Sequence, residues 1–510
     1  TRPGGMRRHA VLPVAALLAT VTALLAVSRA AAAEAAANGG LVVEAYGEQQ
    51  LARAVQHAES NAMQADVAAL SFAEVEYVRA LRRRIHAVPG VLYEEHNASR
   101  IVREALQELG IPYRHPVAVT GVVAEVGHGE PIVILRADLD GLPVREDVEV
   151  PFRSEIAGKM HACGHDAHSA MLLGAAKILK ERADAGQLRG TVRLVWQPAE
   201  EGGAGAARMI SEGAAEGASA AAMVHTWSGL PTGVVASRGG PIAAASGKFV
   251  ATIRGVGGHA AQPHRARDPV VAAAALVQAL QLAVSRLSDP LEPVVLSVTR
   301  LVAGGGALNV IPNEAVVGGS FRAMSKSAHL ALRSAIERAA RTIADAHGCE
   351  AELDFLDAAV HTTALGDTWT TKMYPPVVNS HALVEVAKRA VTTAFGASAW
   401  REMPPLMIGE DFSFFCEEMP CVMLFSGHRK PGDADGEHTG SAHHAPTFEI
   451  DEDSLPYGMG ALVGTALAML EDESVCRPHG VEMAGGGGFQ GRAVQDEFEL
   501  ARAAARSFGS

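Results

Sequence analysis

Eight consecutive residues, 161–168, concentrate side chains that could bind a metal ion. This octet contains three histidines, Cys163 and Asp166, and it directly precedes an apolar run whose spacing predicts an amphipathic helix beginning near Asp166. Imidazole and thiolate are common ligands of divalent transition metals, and Cys163 and His165 can face one point from an extended loop. A polar loop with a small buried cysteine and solvated histidines is the alternative that this segment alone leaves open.

Further along the chain, other acids and histidines could complete such a site. Glu200 and Glu201 form an adjacent carboxylate pair in a turn, where neighbouring side chains point in different directions. One carboxylate can therefore bind a metal while the other acts as a general base. His225 ends a predicted strand, and His443 and His444 form a second pair. Each feature alone is typical of a polar strand end or surface, but together with the octet they provide ligands for two divalent ions.

The elements that must position these groups alternate between strands and helices. Short β-branched runs over 121–126, 132–135, 191–196 and 220–224 predict strands of a mixed α/β sheet with helices on both faces. Asp138, Glu200, Glu201 and His225 each stand at the end of such a strand. Because ligand sites of open α/β sheets lie outside the carboxyl ends of the strands, we expect these groups to converge in one crevice.

A different pattern occupies residues 246–356, where strands and helices follow the order β-α-β-β-α-β of a ferredoxin-like unit. We interpret this segment as a satellite domain inserted into the catalytic domain. Ser71 and Glu74 fit a capping box that opens the first helix of the ordered chain. The predicted organisation is a signal peptide or leader (1–37), a linker (38–70), the first part of the catalytic domain (71–245), the satellite domain (246–356), the second part of the catalytic domain (357–472) and a disordered tail (473–510).

Composition restricts the class of protein. The 510 residues predict two domains or one large α/β domain with an insertion, and 48% of them are hydrophobic. The formal net charge of −13 argues against a nucleic-acid partner. The five cysteines are too few and too scattered for a disulfide framework, so at most one or two bridges are expected.

The beginning of the sequence has the pattern of a secretory signal, with basic residues over 6–9, an apolar run over 11–27 and small residues over 30–33. We therefore expect a location in the secretory pathway, either in the endoplasmic reticulum lumen or outside the cell. The apolar run is barely long enough to span a bilayer, so membrane contact is expected only through an uncleaved signal. Asn97, Ala98 and Ser99 form a glycosylation sequon within a predicted helix.

Six strings occur in order along the chain: HACGHDAH, QPAEEGGAG, GVGGHAAQPH, AGGGALNVIPNEAVVGGSFR, GEDFSFF and HHAPTFEIDED. Together they resemble the binuclear metal-dependent amidohydrolases of the aminoacylase/carboxypeptidase superfamily, and within it the plant auxin-amino acid conjugate hydrolases of the ILR-like type. The resemblance extends from about residue 71 to residue 470. It implies hydrolysis of N-acyl amino acids, foremost indole-acetic acid conjugates, with release of auxin and an amino acid. A general aminoacylase or hippurate-type hydrolase, and a catalytically silent conjugate-binding homologue, are the alternatives.

The resemblance also implies roles for individual residues. The implied metal ligands are Cys163, His165, Glu201, His225 and His444. His444 is chosen over His443 because the family's histidine directly precedes a small residue and a proline. The other implied roles are general base for Glu200, oxyanion stabilisation for His259, binding of the substrate carboxylate for Asn309 and Arg322, and support of a metal ligand for Asp138. Two divalent ions are expected, manganese first, with cobalt or zinc as alternatives, and the satellite domain is expected to form a homodimer.

Overall fold

The computed structural model describes residues 66–472, so the predicted signal peptide, most of the predicted linker and the predicted disordered tail lie outside the described residues. Residues 66–73 are helical, including the last five residues assigned to the linker. The expectation that Ser71 opens the first helix through a capping box is therefore wrong. In a capping box the Ser71 hydroxyl would accept a hydrogen bond from the Glu74 N–H. That N–H already donates to the Leu70 carbonyl oxygen (3.1 Å) within the helix, so it is not available to Ser71.

Strands and helices alternate through most of the described residues. The strands are β1 (Tyr113–Val117), β2 (Gly121–His128), β3 (Ile132–Asp138), β4 (Gly190–Gln197), β5 (Ala218–Pro231), β6 (Val235–Ser237), β7 (Gly240–Ala243), β8 (Ala245–Arg254), β9 (Gly258–His259), β10 (Val294–Ala303), β11 (Val310–Ile311), β12 (Glu314–Ala323), β13 (Glu350–Asp354), β14 (Val360–Thr362), β15 (Thr368–Thr370), β16 (Val377–Asn379), β17 (Trp400–Glu402) and β18 (Cys421–Arg429). The α-helices that follow residues 66–73 are α1 (Val75–His86), α2 (His96–Glu108), α3 (His165–Asp184), α4 (Gly205–Ser211), α5 (Pro269–Leu282), α6 (Lys326–Ala346), α7 (His381–Phe395), α8 (Ser413–Glu418) and α9 (Leu455–Glu471).

Eight strands form the larger sheet, in the order β1-β2-β4-β3-β5-β18-β6-β17. β4, β3, β5 and β18 are neighbours and run parallel, whereas β1, β2 and β4 pair antiparallel. The predicted mixed α/β sheet is therefore confirmed. All eight residues of β4 are buried, as expected for a strand covered by helices on both faces.

The alternation of side chains along each strand produces two cores. Val133 and Leu135 of β3 pack in a core with Leu172 of α3, whereas Ile134 between them packs in a second core with Phe415 of α8. Each large apolar side chain that is fully buried in this way stabilises the fold by about 1.5–3 kcal/mol. The two cores hold the parallel strands in fixed register, and the strand ends at one edge of the sheet are therefore rigid supports for side chains.

A second sheet lies between residues 245 and 354, with four antiparallel strands in the order β10-β12-β8-β13. Helices α5 and α6 pack on it around a separate core that includes Phe249, Leu276, Phe321 and Ile336. This is the strand order of a β-α-β-β-α-β unit. The short strands β9 and β11 pair with each other outside the four-stranded sheet. The exact domain boundaries stay predictions.

Candidate metal centre and active site

The octet is a loop that leads into a helix, as its residue pattern predicts. α3 begins at His165, and the preceding Gly164 has φ +88°, a conformation that L side chains rarely adopt. A Cβ atom at Gly164 would also lie 2.3 Å from Thr226 Oγ1 of β5. Glycine is therefore required here by both conformation and space, and it lets Cys163 and His165 approach the end of β5.

The carboxyl ends of the parallel strands deliver the other predicted ligands to the same place. Glu200 and Glu201 follow β4, and His225 lies near the end of the buried part of β5. His444 comes from the segment after β18, and its backbone N–H donates a hydrogen bond to the carbonyl oxygen of Ala162 in the octet (2.8 Å). That bond links two distant parts of the chain directly at the site.

The five predicted ligands lie together. Their donor atoms fall into two overlapping groups, in which all donors lie within 4.8 Å of one another: Cys163, His165 and His225 in one, and Cys163, Glu201 and His444 in the other. The Cys163 Sγ lies 3.7 Å from His225 Nε2, and the Glu201 Oε1 lies 2.9 Å from His444 Nε2. Because Cys163 belongs to both groups, it would be a ligand in each of them.

The histidine side chains are oriented as metal binding requires. His225 Nδ1 donates to the Thr226 carbonyl oxygen (2.6 Å), and His165 Nδ1 donates to Asp140 Oδ1 (3.1 Å). Each Nε2 atom therefore keeps its lone pair for the cluster. His165 Nε2 is buried and has no hydrogen-bond partner within residues 66–472, which is costly unless a cation or water satisfies it. This set of thiolate, imidazole and carboxylate donors fits a pair of divalent transition-metal ions.

The neighbouring His443 points elsewhere. Its Nε2 donates to the Thr226 carbonyl oxygen (3.1 Å), and its ring stacks on Trp227 with a centroid separation of 4.8 Å. His444 instead faces Glu201, with its pKa raised to about 10 by hydrogen bonds to Cys163 and Glu201. The geometry thus agrees with the choice of His444 over His443.

Asp140 is a site residue that the sequence reasoning missed. One of its oxygens accepts from His165 Nδ1, and the other accepts from the Glu201 backbone N–H (2.9 Å). Asp138, expected to support a metal ligand, bonds to His168 Nδ1 (2.7 Å) and to Arg136 (2.9 Å), and its Oδ2 lies 3.8 Å from His165 Nε2, so its implied role stays a prediction. At the end of β3, Asp138 faces α3, whereas Asp140 reaches the turn after β4. The signal in the sequence that could have identified Asp140 is the pair of acids at positions 138 and 140, directly after a predicted strand.

Glu200 and Glu201 occupy different environments. Glu201 lies against His165 and His444, and the favourable contacts outweigh its burial and hold its pKa below the usual range. Glu200 is buried beside Glu410, and burial together with the neighbouring carboxylates raises its pKa well above 4.5. The Asp411 backbone N–H donates to Glu200 Oε1 (3.3 Å). A carboxylate with a raised pKa next to a cluster of metal-binding side chains is suited to accept and return a proton.

A cavity of about 470 Å³ opens onto this cluster. Arg322, Lys248 and Lys372 line one part, and within the described residues none of the three has a carboxylate within 4.0 Å. Apolar and aromatic residues line another part: Trp227, Phe355, Leu356, Met373, Met407 and Ile408. No residue of the segment 428–441 lines the cavity, whereas His443 and His444 do.

Two predicted site residues lie outside this cavity. His259 and Asn309 are exposed and lie close together, because β9 pairs with β11 and the Ala260 N–H donates to the Asn309 carbonyl oxygen (3.0 Å). Neither residue lines the cavity within the single chain. Their implied roles in oxyanion and carboxylate binding stay predictions.

Comparison with known proteins identifies the family of this chain. Residues 134–468 match the family described as Peptidase family M20/M25/M40. The Arabidopsis thaliana protein named IAA-amino acid hydrolase ILR1-like 4 is 43% identical over 384 residues, covering 75% of this chain and 83% of the relative. The Bacillus subtilis N-acetyl-L-cysteine deacetylase is 34% identical over 377 residues, covering 74% and 84%.

A solved structure of a dinuclear metal binding peptidase of the M20 family from Bacillus subtilis superposes with a TM-score of 0.64 and 30% identity, covering 78% of this chain and 99% of that chain. The fold, the donor cluster and the extent of the sequence match agree. The chain therefore belongs to the M20/M25/M40 peptidase family.

Proposed function

We propose that this protein is a metal-dependent amidohydrolase that cleaves the amide bond of N-acyl amino acids. The observation that carries the proposal is the different placement of two adjacent carboxylates. Glu201 shares a donor group with Cys163 and His444, and its pKa is lowered. Glu200 borders the cluster within 4.8 Å of donors of His165 and Glu201, but it also lies against the carboxylates of Glu410 and Asp411, and burial with these neighbours raises its pKa. A silent binding protein has no need for a free, buried carboxylate beside a metal cluster. Two divalent ions, when bound, lower the pKa of water and polarise the scissile carbonyl.

Residues of the chain account for the remaining steps. Arg322 lines the cavity, and we propose that it binds the carboxylate of the amino acid moiety, for which a guanidinium is suited. The apolar wall around Trp227 and Ile408 receives the acyl group and excludes water from it. Glu200 takes the proton from the attacking water and then delivers it to the nitrogen of the departing amino acid.

The test of this function is the isosteric change Glu200→Gln. It removes the proton acceptor and leaves all five predicted ligands in place, so hydrolysis of N-acyl amino acids should be abolished while two metal ions per chain remain bound. Turnover is measured by release of the free amino acid, and metal content by mass spectrometry. Ordinary activity of this variant would remove Glu200 from its proposed role.

We further propose indole-acetic acid conjugates as substrates and manganese as the resident metal. The support for the acyl group is the identity to the plant relative named above and the aromatic wall of the cavity. A general aminoacylase or hippurate-type activity is the alternative, favoured by the identity to the deacetylase. A panel of indole-acetyl, benzoyl and acetyl amino acids, assayed with manganese, cobalt and zinc, separates these possibilities.

A homodimer through the second sheet would complete the site. His259 and Asn309 are exposed, and the same part of the chain carries exposed apolar side chains on α5 and β10, including Val271, Leu301 and Val302. Burial of these side chains against a second copy would bring His259 toward a partner's cavity. Light scattering after gel filtration should give twice the chain mass, and His259→Ala should lower kcat without altering that mass.

For the location we propose the secretory pathway. The Cys416–Cys421 disulfide is typical of proteins that fold in an oxidising compartment, and the sequon residue Asn97 is exposed in the first turn of α2. Digestion of the protein from its native source with an endoglycosidase should increase its electrophoretic mobility. Free thiols at both Cys416 and Cys421 in that protein would contradict the proposal.

A further inference from the structure

The turn that carries Glu200 and Glu201 is conformationally strained. Ala199 and Ala204, which flank the acidic pair, have φ +55° and +53°, in the left-handed region that disfavours L side chains. Strained backbone persists only where the surroundings hold it in place. The directions of both carboxylates therefore depend on contacts made to the turn from outside.

The main outside contact is the hydroxyl of Tyr374. This buried hydroxyl donates to the Glu200 carbonyl oxygen (2.6 Å) and accepts from the backbone N–H groups of Gly202 (2.9 Å) and Ala204 (3.1 Å). Burial raises the pKa of Tyr374 well above 10, so the hydroxyl keeps its proton and remains a donor. One side chain thus makes three hydrogen bonds to a single turn.

The contact to Glu200 fixes the peptide unit that joins the two acids. Tyr374 holds the carbonyl oxygen of this peptide, and Asp140 holds its N–H from the opposite side (2.9 Å). Because a peptide is planar, holding its carbonyl oxygen and its N–H fixes the plane and thus the positions of the two Cα atoms from which the acidic side chains extend. Glu201 is thereby aimed at the donor cluster and Glu200 at the cavity.

Tyr374 also belongs to the connection between the two sheets. Its backbone pairs with Ser246, with N–H to carbonyl distances of 3.0 and 3.3 Å, and Ser246 lies at the start of β8 where the chain enters the second sheet. In the register of that sheet, Ser246 is the partner of Arg322 on β12. A continuous row, Arg322, Ser246 and Tyr374, therefore extends from the cavity wall of the second sheet to the turn with Glu200.

We propose that Tyr374 is a positioning residue for hydrolysis: its hydroxyl fixes the peptide between Glu200 and Glu201 and ties it to the row that carries Arg322. The general base and the group that binds the substrate carboxylate are thereby held at a constant separation. This inference rests on the proposed amidohydrolase function. It assigns no contact between Tyr374 and the substrate.

The first experiment compares three phenylalanine substitutions in the metal-loaded full chain. Tyr374→Phe should lower kcat at least 10-fold, change KM less than 2-fold and leave two metal ions bound.

Tyr93→Phe is the matched control, because the Tyr93 hydroxyl donates to the Gly203 carbonyl oxygen (2.8 Å) in the same turn but does not touch the peptide between the acids. It should lower the thermal midpoint with less than a 3-fold change in kcat. Tyr113→Phe should match the parent in both, because the Tyr113 hydroxyl accepts from the exposed Gln107 (2.8 Å) and has no other hydrogen bond within residues 66–472. Equal kcat losses for the first two variants, or a loss that appears only in KM, would overturn the proposal.

The second experiment asks whether Tyr374 acts through Glu200. In a Glu200→Asp background the carboxylate is already displaced, so adding Tyr374→Phe should lower kcat less than 2-fold further. Additive losses would overturn the inference. Incorporation of p-aminophenylalanine at position 374 restores a donor and should recover part of the lost kcat. This variant also takes the place of Tyr374→Phe if that protein does not fold. A variant at position 374 that keeps the kcat of the parent but binds fewer than two metal ions would likewise contradict positioning. Full activity of Glu200→Gln would contradict the proposed function itself. That outcome is distinct from the outcomes above, which contradict only the positioning role of Tyr374.

Discussion

Asp140→Asn should weaken metal binding although Asp140 belongs to none of the donor groups of the cluster. The carboxylate accepts two hydrogen bonds at once, from His165 Nδ1 (3.1 Å) and from the Glu201 N–H (2.9 Å). Asparagine has nearly the same shape but offers one acceptor and one donor group. If its oxygen keeps the bond to Glu201, its NH₂ group faces His165 Nδ1, which must then become an acceptor. The His165 proton moves to Nε2, where it occupies the lone pair that the metal needs.

Loss of such a supporting hydrogen bond typically costs 10–100-fold in metal affinity, which corresponds to about 1.4–2.8 kcal/mol. Competition of the metal-free protein with a fluorescent chelator, using manganese, cobalt and zinc in turn, measures this change directly. Asp147→Asn is the control, because Asp147 is an exposed partner of Arg145. Thermal melting of both metal-free proteins tests whether the fold is intact.

Equal metal affinities of the parent and Asp140→Asn, with both proteins folded, would refute the reasoning. In that case the orientation of His165 would not depend on Asp140. A weakened affinity that is matched by Asp147→Asn would also refute it, since the loss would then reflect total charge alone.

Other predictions follow from the same geometry. Cys163→Ser should reduce the metal content below two ions per chain after dialysis, because a hydroxyl is a poorer ligand than a thiolate for these metals; an unchanged content would exclude Cys163 as a ligand. In the acidic part of the pH profile, kcat/KM should rise with pH with a midpoint above 4.5, because Glu200 must lose its proton to act as a base and burial raises its pKa. A midpoint at or below 4.5 would contradict this prediction. Arg322→Met should raise KM for N-acyl amino acids about 10-fold or more, with a smaller effect on kcat. Conjugates of glutamate should have a lower KM than those of glutamine at low ionic strength, because Lys248 and Lys372 also line the cavity; equal KM values would argue against a second carboxylate site.

Much of the fold follows from local patterns. The octet and the apolar run that follows it predict a loop followed by a helix, and α3 begins at His165. The β-α-β-β-α-β order over 246–356 predicts the four-stranded sheet that the structure contains. These predictions succeed because helix and strand periodicity are properties of neighbouring residues. The capping box at Ser71 failed for the corresponding reason: a local motif does not show that the helix has already begun.

Residue types and spacing alone thus determined the elements, the set of possible ligands and the kind of chemistry. They did not determine which acid supports which ligand. Asp138 and Asp140 differ in sequence by two positions, yet one bonds to His168 and the other to His165 and the turn after β4. That choice depends on how β3 and β4 lie side by side, which no local pattern encodes.

Only the tertiary structure decided the distances. The order β4-β3-β5-β18 places the ends of four parallel strands at one edge, and the bond from the His444 N–H to Ala162 brings a distant segment against the octet. The role of Tyr374 became visible in the same way, since its phenol ring carries no sign of a site in the sequence. Contacts between residues far apart in the chain follow from packing of whole layers, because the free energy that selects one arrangement belongs to the complete core rather than to any short segment.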